Sequence, residues 1–482
     1  MSIFSKITLN TLISYAGRVV SSVFALVIIG LMTRALGPEK FGEYTTITAY
    51  LSMFVILADL GLQALMTREI SRLKDGLTEI ASSFFTLRLL SSAVFLLLGI
   101  AISLFFPYAS AIKLGMIVAV SGLFFLSVNQ LLLGVFQKHL AMHVTALAEI
   151  AGRGVQLLLV YLIYAFYRGN MGDGGGNGGI GLFLFLGAMS VSSLLIFILQ
   201  FFFAQKYIKL NLTFNVKQWL DILKTAWPIA LSIVLTLIYF KIDTIFLSLM
   251  KPQSDVGIYG VAYRVLESLI FFPAIFAGML LPILSREAAA SDLGEFRAIF
   301  RKAFKVITIF AIPTVLGGII LSYSIANLVG GKDFIISGAP LQALFIATGL
   351  IFFGNLFGRA IIALDLQKKA VCAYLFGVIL NVALNFIFIP KYTYMGAAWT
   401  TVATEFMITV FLFWLIWQRA KVSLDIATIL KSVLAAGVMA GVLLYLTSPI
   451  GEPVSFAKLG LLTILGGGIY FGALYIINSR NI

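Results

Sequence analysis

Long apolar stretches, broken by short polar punctuation, run from one end of the chain to the other. An α-helix rises 1.5 Å per residue, so about 20 apolar residues cross the hydrocarbon core of a bilayer. Stretches of that length predict helices near residues 8–31, 41–66, 83–106, 114–136, 143–166, 180–204, 224–248, 257–284, 303–325, 340–363, 370–390, 397–417, 430–447 and 457–477. The expectation is an all-α membrane protein of about 14 transmembrane helices. An even number of crossings puts both termini on the same side.

Composition sharpens that picture. The 482 residues are 61% hydrophobic and only 11% charged, where soluble domains run at about 25% charged. No polar stretch is long enough to hold a water-soluble enzyme domain, and the chain is not expected to be an enzyme. The net charge of +14 has a plain cause in a membrane protein, because Lys and Arg collect in cytoplasmic loops. No basic domain stands apart to bind nucleic acid. One set of loops with the two termini carries 20 basic residues, the opposite set 8, and the other 6 of the 34 lie within helices. That asymmetry predicts a multi-pass protein of the inner, cytoplasmic membrane with both termini in the cytoplasm. The first apolar stretch has no evident cleavage site and reads as a retained helix.

Several chemistries have no residues to carry them. The one cysteine, Cys372, excludes an intrachain disulfide. His139 and His143 are the only histidines, with no glutamate between them and no third ligand evident, so no metal site is expected. There is no P-loop motif. Gly174, Gly176 and Gly179 match the dinucleotide spacing, but no βαβ unit surrounds them. No cofactor is expected.

A short internal repeat suggests how the helices are grouped. Gly42-Glu43-Tyr44 opens the second predicted helix and Gly257-Ile258-Tyr259 the eighth, with Ala-Tyr following at 49–50 and 262–263. Six helices separate the two sites, so they share an orientation, as in transporters built from parallel repeats. The domains predicted are an N-terminal six-helix lobe at 1–206, a C-terminal six-helix lobe at 207–420, and two further helices at 421–482. The basic loop 205–223 joins the lobes. Residues 292–297 read as a short amphipathic interfacial helix. Pro273 and Pro313 are expected to kink their helices. The spacings Gly354-x-x-x-Gly358 and Gly437-x-x-x-Gly441 suit close helix packing.

Leaving aside Glu43 near the mouth of the second predicted helix and the lysines at the ends of others, eleven ionisable residues fall inside the predicted spans: Arg18, Arg88, Arg153, Lys241, Arg264 and Arg359, with Asp59, Glu149, Asp243, Glu267 and Glu405. Left uncompensated in lipid they would cost ~30 kcal/mol, so they pair, snorkel or line a polar cavity. Arg88 and Arg359 sit about one turn from helix ends, where snorkelling explains them. Glu149 with Arg153, and Arg264 with Glu267, are four and three residues apart and can neutralise each other locally. Arg18, Asp59 and Glu405 have no opposite charge within a turn. Lys241 and Asp243 point to different sides of one helix. The substrate-binding set predicted is Arg18, Arg153, Lys241, Arg264, Asp59 and Asp243, with Glu149, Glu267 and Glu405 as coupling or counter-charge residues. Arginine forks in such a cavity suit phosphate and carboxylate. Tyr15, Tyr50, Tyr239, Tyr259 and Tyr263 lie on the same helices and offer faces for sugar rings, although packing accounts for tyrosines there equally well.

Several segments then acquire a common meaning: 33–44 (TRALGPEKFGEY) with 58–62 (ADLGL), 238–243 (IYFKID) with 256–263 (VGIYGVAY) and 281–285 (LPILS), and 381–390 (NVALNFIFIP) with 396–398 (GAA). In this order they resemble the polysaccharide transporter family, the Wzx-type flippases of the multidrug/oligosaccharidyl-lipid/polysaccharide superfamily. The resemblance implies two six-helix lobes opening alternately to each side. It implies a polyprenyl-pyrophosphate-linked oligosaccharide moved from the cytoplasmic to the outer leaflet, its anionic head held in the cationic cavity and its tail in membrane lipid. Arg18, Asp59, Lys241, Asp243 and Arg264 are the positions to which that role carries over. A monomer suffices for this scheme, with a coupling cation or proton as a further partner. The competing reading is an ion-coupled exporter of small cationic molecules on the same architecture, which would call for a net acidic cavity.

Overall fold

The computed structural model describes residues 3–72, 76–170, 178–290, 292–447 and 453–479. Every extended element among them is helical, and eleven of these segments are long and apolar enough to cross a membrane. The chain divides into two compact units, Met1–Gly257 and Ile258–Ile482.

The first unit contains α1 (Ile3–Asp59), α2 (Leu62–Arg72), α3 (Leu77–Ser103), α4 (Ser110–Lys138), α5 (Met142–Asn170), α6 (Gly178–Ala204), α7 (Val216–Met250) and the first turn of α8 (Gln253–Leu269). A straight helix of the length of α1 would span ~85 Å, almost three bilayer cores. It breaks at Gly37, whose φ of 68° suits glycine, and Pro38 then opens the second half. The packing registers show that the two halves run in opposite directions. Gly17 lies against Ala146 and Gly154 against Phe24, so the first half runs parallel to α5. Ile47 meets Gly115, and Thr67 beyond α1 meets Gly134, so the second half runs parallel to α4, which is antiparallel to α5. Two helices that meet at Gly37 therefore supply the first two predicted crossings.

The second predicted crossing ends earlier than its apolar run. Asp59 is the last residue of α1, and Leu60 and Gly61 take φ of 47° and 72°. Residues up to 72 then form the separate amphipathic α2. The Lys138 ammonium donates to the Ile70 carbonyl at the end of α2. Leu65, Met66, Phe84, Leu131, Val135 and Phe136 make a core that ties α2, α3 and α4 together.

The repeat glycines mark a close crossing within this unit. A Cβ on Gly42 would overlap the Gln253 carbonyl, and one on Gly257 would overlap the Pro38 carbonyl. Thr46 adds a hydrogen bond to Gln253 Oε1 at 2.6 Å. Only glycine leaves room for backbone at both places.

The second unit contains the rest of α8, α9 (Phe271–Ala288), α10 (Gly294–Gly330), α11 (Gly338–Ala363), α12 (Gln367–Ala420), α13 (Ile426–Leu446) and α14 (Phe456–Ser479), with a 3-10 turn at Lys332–Ser337. α12 is another hairpin. It breaks at Thr393 (φ 52°, ψ −130°), a strained conformation for a residue with a Cβ. Its arms pair Gly377 with Ile408, Asn381 with Thr404 and Phe388 with Gly396. α13 and α14 pack on α10 through Leu321, Ala436, Met439, Leu443, Leu462 and Tyr470.

The helix expected to kink at Pro273 is interrupted at Ile270 alone, whose φ and ψ stay helical, and α10 runs through Pro313. Two local expectations change. Residues 294–297 are the first turn of α10, not a separate interfacial helix. Nothing lies within 4 Å of where Cβ atoms on Gly437 and Gly441 would be, so among the described residues that pair supports no close helix contact.

Candidate functional site

The membrane charges fall into three physical situations. Arg88 and Asp59 are in the first. Arg88 is 0% exposed on α3, and its Nη1 donates to Asp59 Oδ1 at 2.6 Å. Its Nε and Nη2 donate to the Ser127 carbonyl at 3.1 and 3.0 Å, and Nη2 reaches Gln130 Oε1 at 3.3 Å. Ser91 Oγ donates to the Ala58 carbonyl at 2.9 Å, and Ser92 shares a 2.7 Å bond with Ser127. Arg88 therefore does not snorkel, correcting the expectation from its place near a helix end. A cation here faces the C-terminal end of the second half of α1, where the helix dipole favours it. The pair fixes the point at which α1 stops.

The second situation is local pairing. Arg264 Nη1 meets Glu267 Oε2 at 2.9 Å on α8, with each side chain about a third exposed. On α5, Arg153 Nη1 donates to Gln156 Oε1 at 2.9 Å, one turn further along the helix. Both Arg153 and Glu149 stay half-buried.

The third situation comprises charges at accessible or deeply enclosed positions along the first unit. Arg18 is exposed on α1. The contact of Gly17 with Ala146 puts it at nearly the level of Glu149 on α5. Arg18, Glu149 and Arg153 thus share one helix pair. On α7, Lys241 is half-buried and Asp243 is 1% exposed. α7 packs against α1 as well.

A separate polar cluster lies in the second unit. Asn385 Nδ2 donates to Asn381 Oδ1 at 2.9 Å, and Asn381 Nδ2 donates to Thr404 Oγ1 at 3.3 Å across the α12 hairpin. Tyr259 and Thr401 hydroxyls lie 3.3 Å apart, and Thr401 donates to the Ala397 carbonyl. Glu405, 3% exposed, follows Thr404 on the same arm. Its charge and that of Arg359, which is half-buried, both reach the Tyr374 phenol. Sequence reasoning passed over Asn381, Asn385 and Thr404 because neutral side chains carry no insertion penalty large enough to draw notice. The available signal was Asn381 and Asn385 four apart on one face of an apolar helix.

The tyrosines divide differently from the expectation of a sugar-binding set. Tyr50, Tyr259 and Tyr263 are buried, and Tyr50 donates to the Gly99 carbonyl at 2.9 Å. These three are core residues. The side chains of Tyr15 and Tyr239 lie outside the described residues. No group of three metal-ligating acids, histidines or cysteines occurs among the described residues.

The arrangement offers an anion exposed and half-buried cations on the apolar helices of the first unit, and in the second it places a buried carboxylate on the same helix arm as an amide–hydroxyl cluster, with the charge of Arg359 reaching the same phenol. Comparison with known proteins bears on both. The family model described as polysaccharide biosynthesis protein matches residues 7–287, more than half the chain, and the MatE model matches residues 228–387. Probable flippase AglR of Haloferax volcanii is 24% identical over 255 residues, 50% of this chain and 51% of that protein. The chain thus spans about half the length of that curated relative. Capsular polysaccharide biosynthesis protein CapF of Staphylococcus aureus is 23% identical over 82% of this chain and 95% of its own. Among solved structures, lipid II flippase MurJ in its inward closed conformation superposes with a TM-score of 0.76 over 98% of this chain and 99% of that one, at 16% identity. That likeness is one of fold.

Proposed function

Because the chain belongs to the polysaccharide biosynthesis protein family, we propose that it is a flippase. It moves a polyprenyl-pyrophosphate-linked oligosaccharide from the cytoplasmic to the outer leaflet by alternating access of two six-helix lobes, residues 1–206 and 207–420, with residues 421–482 appended. The observation that carries this reading is the placement of Arg18 and Arg153 on one helix pair, exposed and half-buried at membrane depth. Ionisable residues within apolar helices are rare and mark substrate pathways, and guanidinium forks match pyrophosphate oxygens. Lys241 and Asp243 extend the head-group site on the first unit, Arg264 is a candidate for the same anion on the second, and the lipid tail stays in the bilayer. Asp59 contributes through Arg88, as part of the scaffold beneath that site. The names of AglR and CapF agree with a glycan cargo.

Glu405 is the coupling residue in this scheme, taking up a proton or a cation among Asn381, Thr404 and Thr401; Glu149 and Glu267 balance charge at Arg153 and Arg264. Both termini lie in the cytoplasm, the protein sits in the inner membrane, and a monomer suffices. The exporter alternative draws on the MatE match at residues 228–387. Against it, membrane bases outnumber acids, and a cation-binding cavity would reverse that balance.

The test is translocation of a labelled polyprenyl-pyrophosphate oligosaccharide in proteoliposomes, with and without proton and sodium gradients. Movement above protein-free vesicles supports the flippase, and gradient dependence supports coupling. Gradient-driven movement of small organic cations, with none of the lipid-linked glycan, would replace it with the exporter.

A further inference from the structure

The segment between α6 and α7 is a fixed strap, not a loose linker. The Gln205 side chain brackets Leu210, accepting from its N–H at 3.0 Å and donating to its carbonyl at 2.9 Å. The backbone N–H groups of Asn211 and Thr213 donate to Ser82 Oγ and Thr86 Oγ1 on α3, each at 3.0 Å. Ser83 donates to Gln218 Oε1, and Asn215 caps α7 by accepting from Gln218 N at 3.1 Å. Ile208 and Leu210 enter the core of the first unit. This pinning leaves no freedom to hide what the strap turns outward. Leu212, Phe214 and Val216 are 62, 73 and 64% exposed, and Leu220 and Trp227 continue the apolar face along α7.

The charges around that face have one sign. Lys206, Lys209, Lys217 and Lys224 are all exposed, against the single acid Asp221. The Lys206 ammonium lies over the Phe202 and Phe203 rings, 5.3 and 4.9 Å from their centroids, its stem running along the end of α6. The strap follows α6, which is long and apolar enough to cross a membrane, and leads into the crossing predicted from sequence at 224–248, so its level is that of the membrane boundary. Apolar side chains directed outward there meet the acyl–headgroup boundary, and lysines beside them meet lipid phosphates.

We infer that residues 206–227 form an anionic-lipid docking surface: Leu212, Phe214 and Val216 insert at the boundary while Lys206, Lys209, Lys217 and Lys224 hold acidic phospholipid headgroups. The leaflet is the cytoplasmic one under the orientation proposed above. A zwitterionic surface offers the apolar residues the same depth but not the charge complement, so the docking is graded by acidic lipid content.

The experiment uses the full-length protein with Cys372→Ser and a spin label at Phe214→Cys, reconstituted in phosphatidylcholine with or without phosphatidylglycerol. Oxygen partitions into lipid and a nickel chelate into water, so their relative relaxation of the label reports its depth. Expected is a label relaxed by oxygen over nickel, deeper with phosphatidylglycerol, the gain vanishing when the four lysines are changed to glutamine. A label at Leu212→Cys repeats the reading where the first substitution disturbs the strap. Strong nickel access in both membranes would overturn the proposal. Protection from both reagents would overturn it too, because protein then covers the face. Equal depth with and without phosphatidylglycerol would remove the acidic-lipid claim. None of these readings depends on which substrate is transported.

Discussion

Two buried polar networks serve the two units in opposite ways. In the first, Arg88 is saturated by Asp59, the Ser127 carbonyl and Gln130. In the second, the neutral side chains Asn381, Asn385 and Thr404 are joined across the α12 hairpin, and Glu405, next along the same arm, shares the Tyr374 phenol with the charge of Arg359. A saturated ion pair is rigid and resists any change of protonation, because either partner alone would be stranded without its counter-charge. Neutral amides and hydroxyls strand no counter-charge of their own when a nearby carboxylate changes its proton or exchanges a cation. The difference teaches that burial alone does not nominate a transport residue; what surrounds the charge decides whether it can act.

Substitutions can break this contrast, beginning where the effect is largest. Arg88→Met should strand Asp59 in the core and lower stability by about 3–5 kcal/mol. Thermal unfolding of the purified protein in detergent measures it. Adding Asp59→Leu should recover most of the loss, since an apolar pair of similar size is often as stable as the buried ions it replaces. If Arg88→Met alone leaves the unfolding temperature unchanged, the network is not structural.

Glu405→Gln should behave in the opposite manner. It keeps shape and hydrogen bonding, so stability should change by about 1 kcal/mol or less, while transport should lose its dependence on an ion gradient. Counterflow with and without a gradient reads this directly. Gradient-dependent transport in the variant would move the coupling site elsewhere.

Gly42→Val sharpens the account of the repeat. A side chain there meets the Gln253 carbonyl, and overpacking of this kind costs about 1–3 kcal/mol. Unfolding should report it, and Gly257→Val should cost a similar amount if the two glycines serve one crossing.

The smallest effect concerns a surface cap. Asp425 accepts from Thr428 N at 3.0 Å and from the Thr428 hydroxyl at 2.8 Å. These bonds, aided by Lys305 and Arg301, hold its carboxyl below the ordinary value of 3.8. Because the folded value is depressed, the cap contributes fully above pH 3.8 and its contribution fades as pH falls below that through the folded value. Asp425→Ala should cost about 1 kcal/mol at neutral pH, with the difference from wild type shrinking in acid. An unfolding series across pH checks the sign.

Much of the fold was legible because crossing a bilayer demands a run of apolar residues that few other structures require. The hairpin tips were legible too: the breaks at Gly37 and Thr393 fall in the gaps 32–40 and 391–396 between predicted helices. The end at Asp59 was hidden: apolar residues continue past it into α2, and only a left-handed turn at Leu60-Gly61 separates them. Local charge pairs could be read where spacing controls them, as with Arg264 and Glu267. The Asp59–Arg88 pair joins two helices 29 residues apart, and helix periodicity carries no information about which helices meet. Arg18 could be singled out as a costly charge, but its place beside α5, near the level of Glu149, required the α1–α5 register.

The central claim is that the exposed cations of the first unit hold the anionic head, whereas Arg88 supports the fold. The most direct measurement is translocation of the labelled lipid-linked oligosaccharide by Arg18→Ala in proteoliposomes, with unfolding temperature confirming an intact protein. The account predicts movement no faster than in protein-free vesicles at an unchanged unfolding temperature. Wild-type translocation by Arg18→Ala would contradict it.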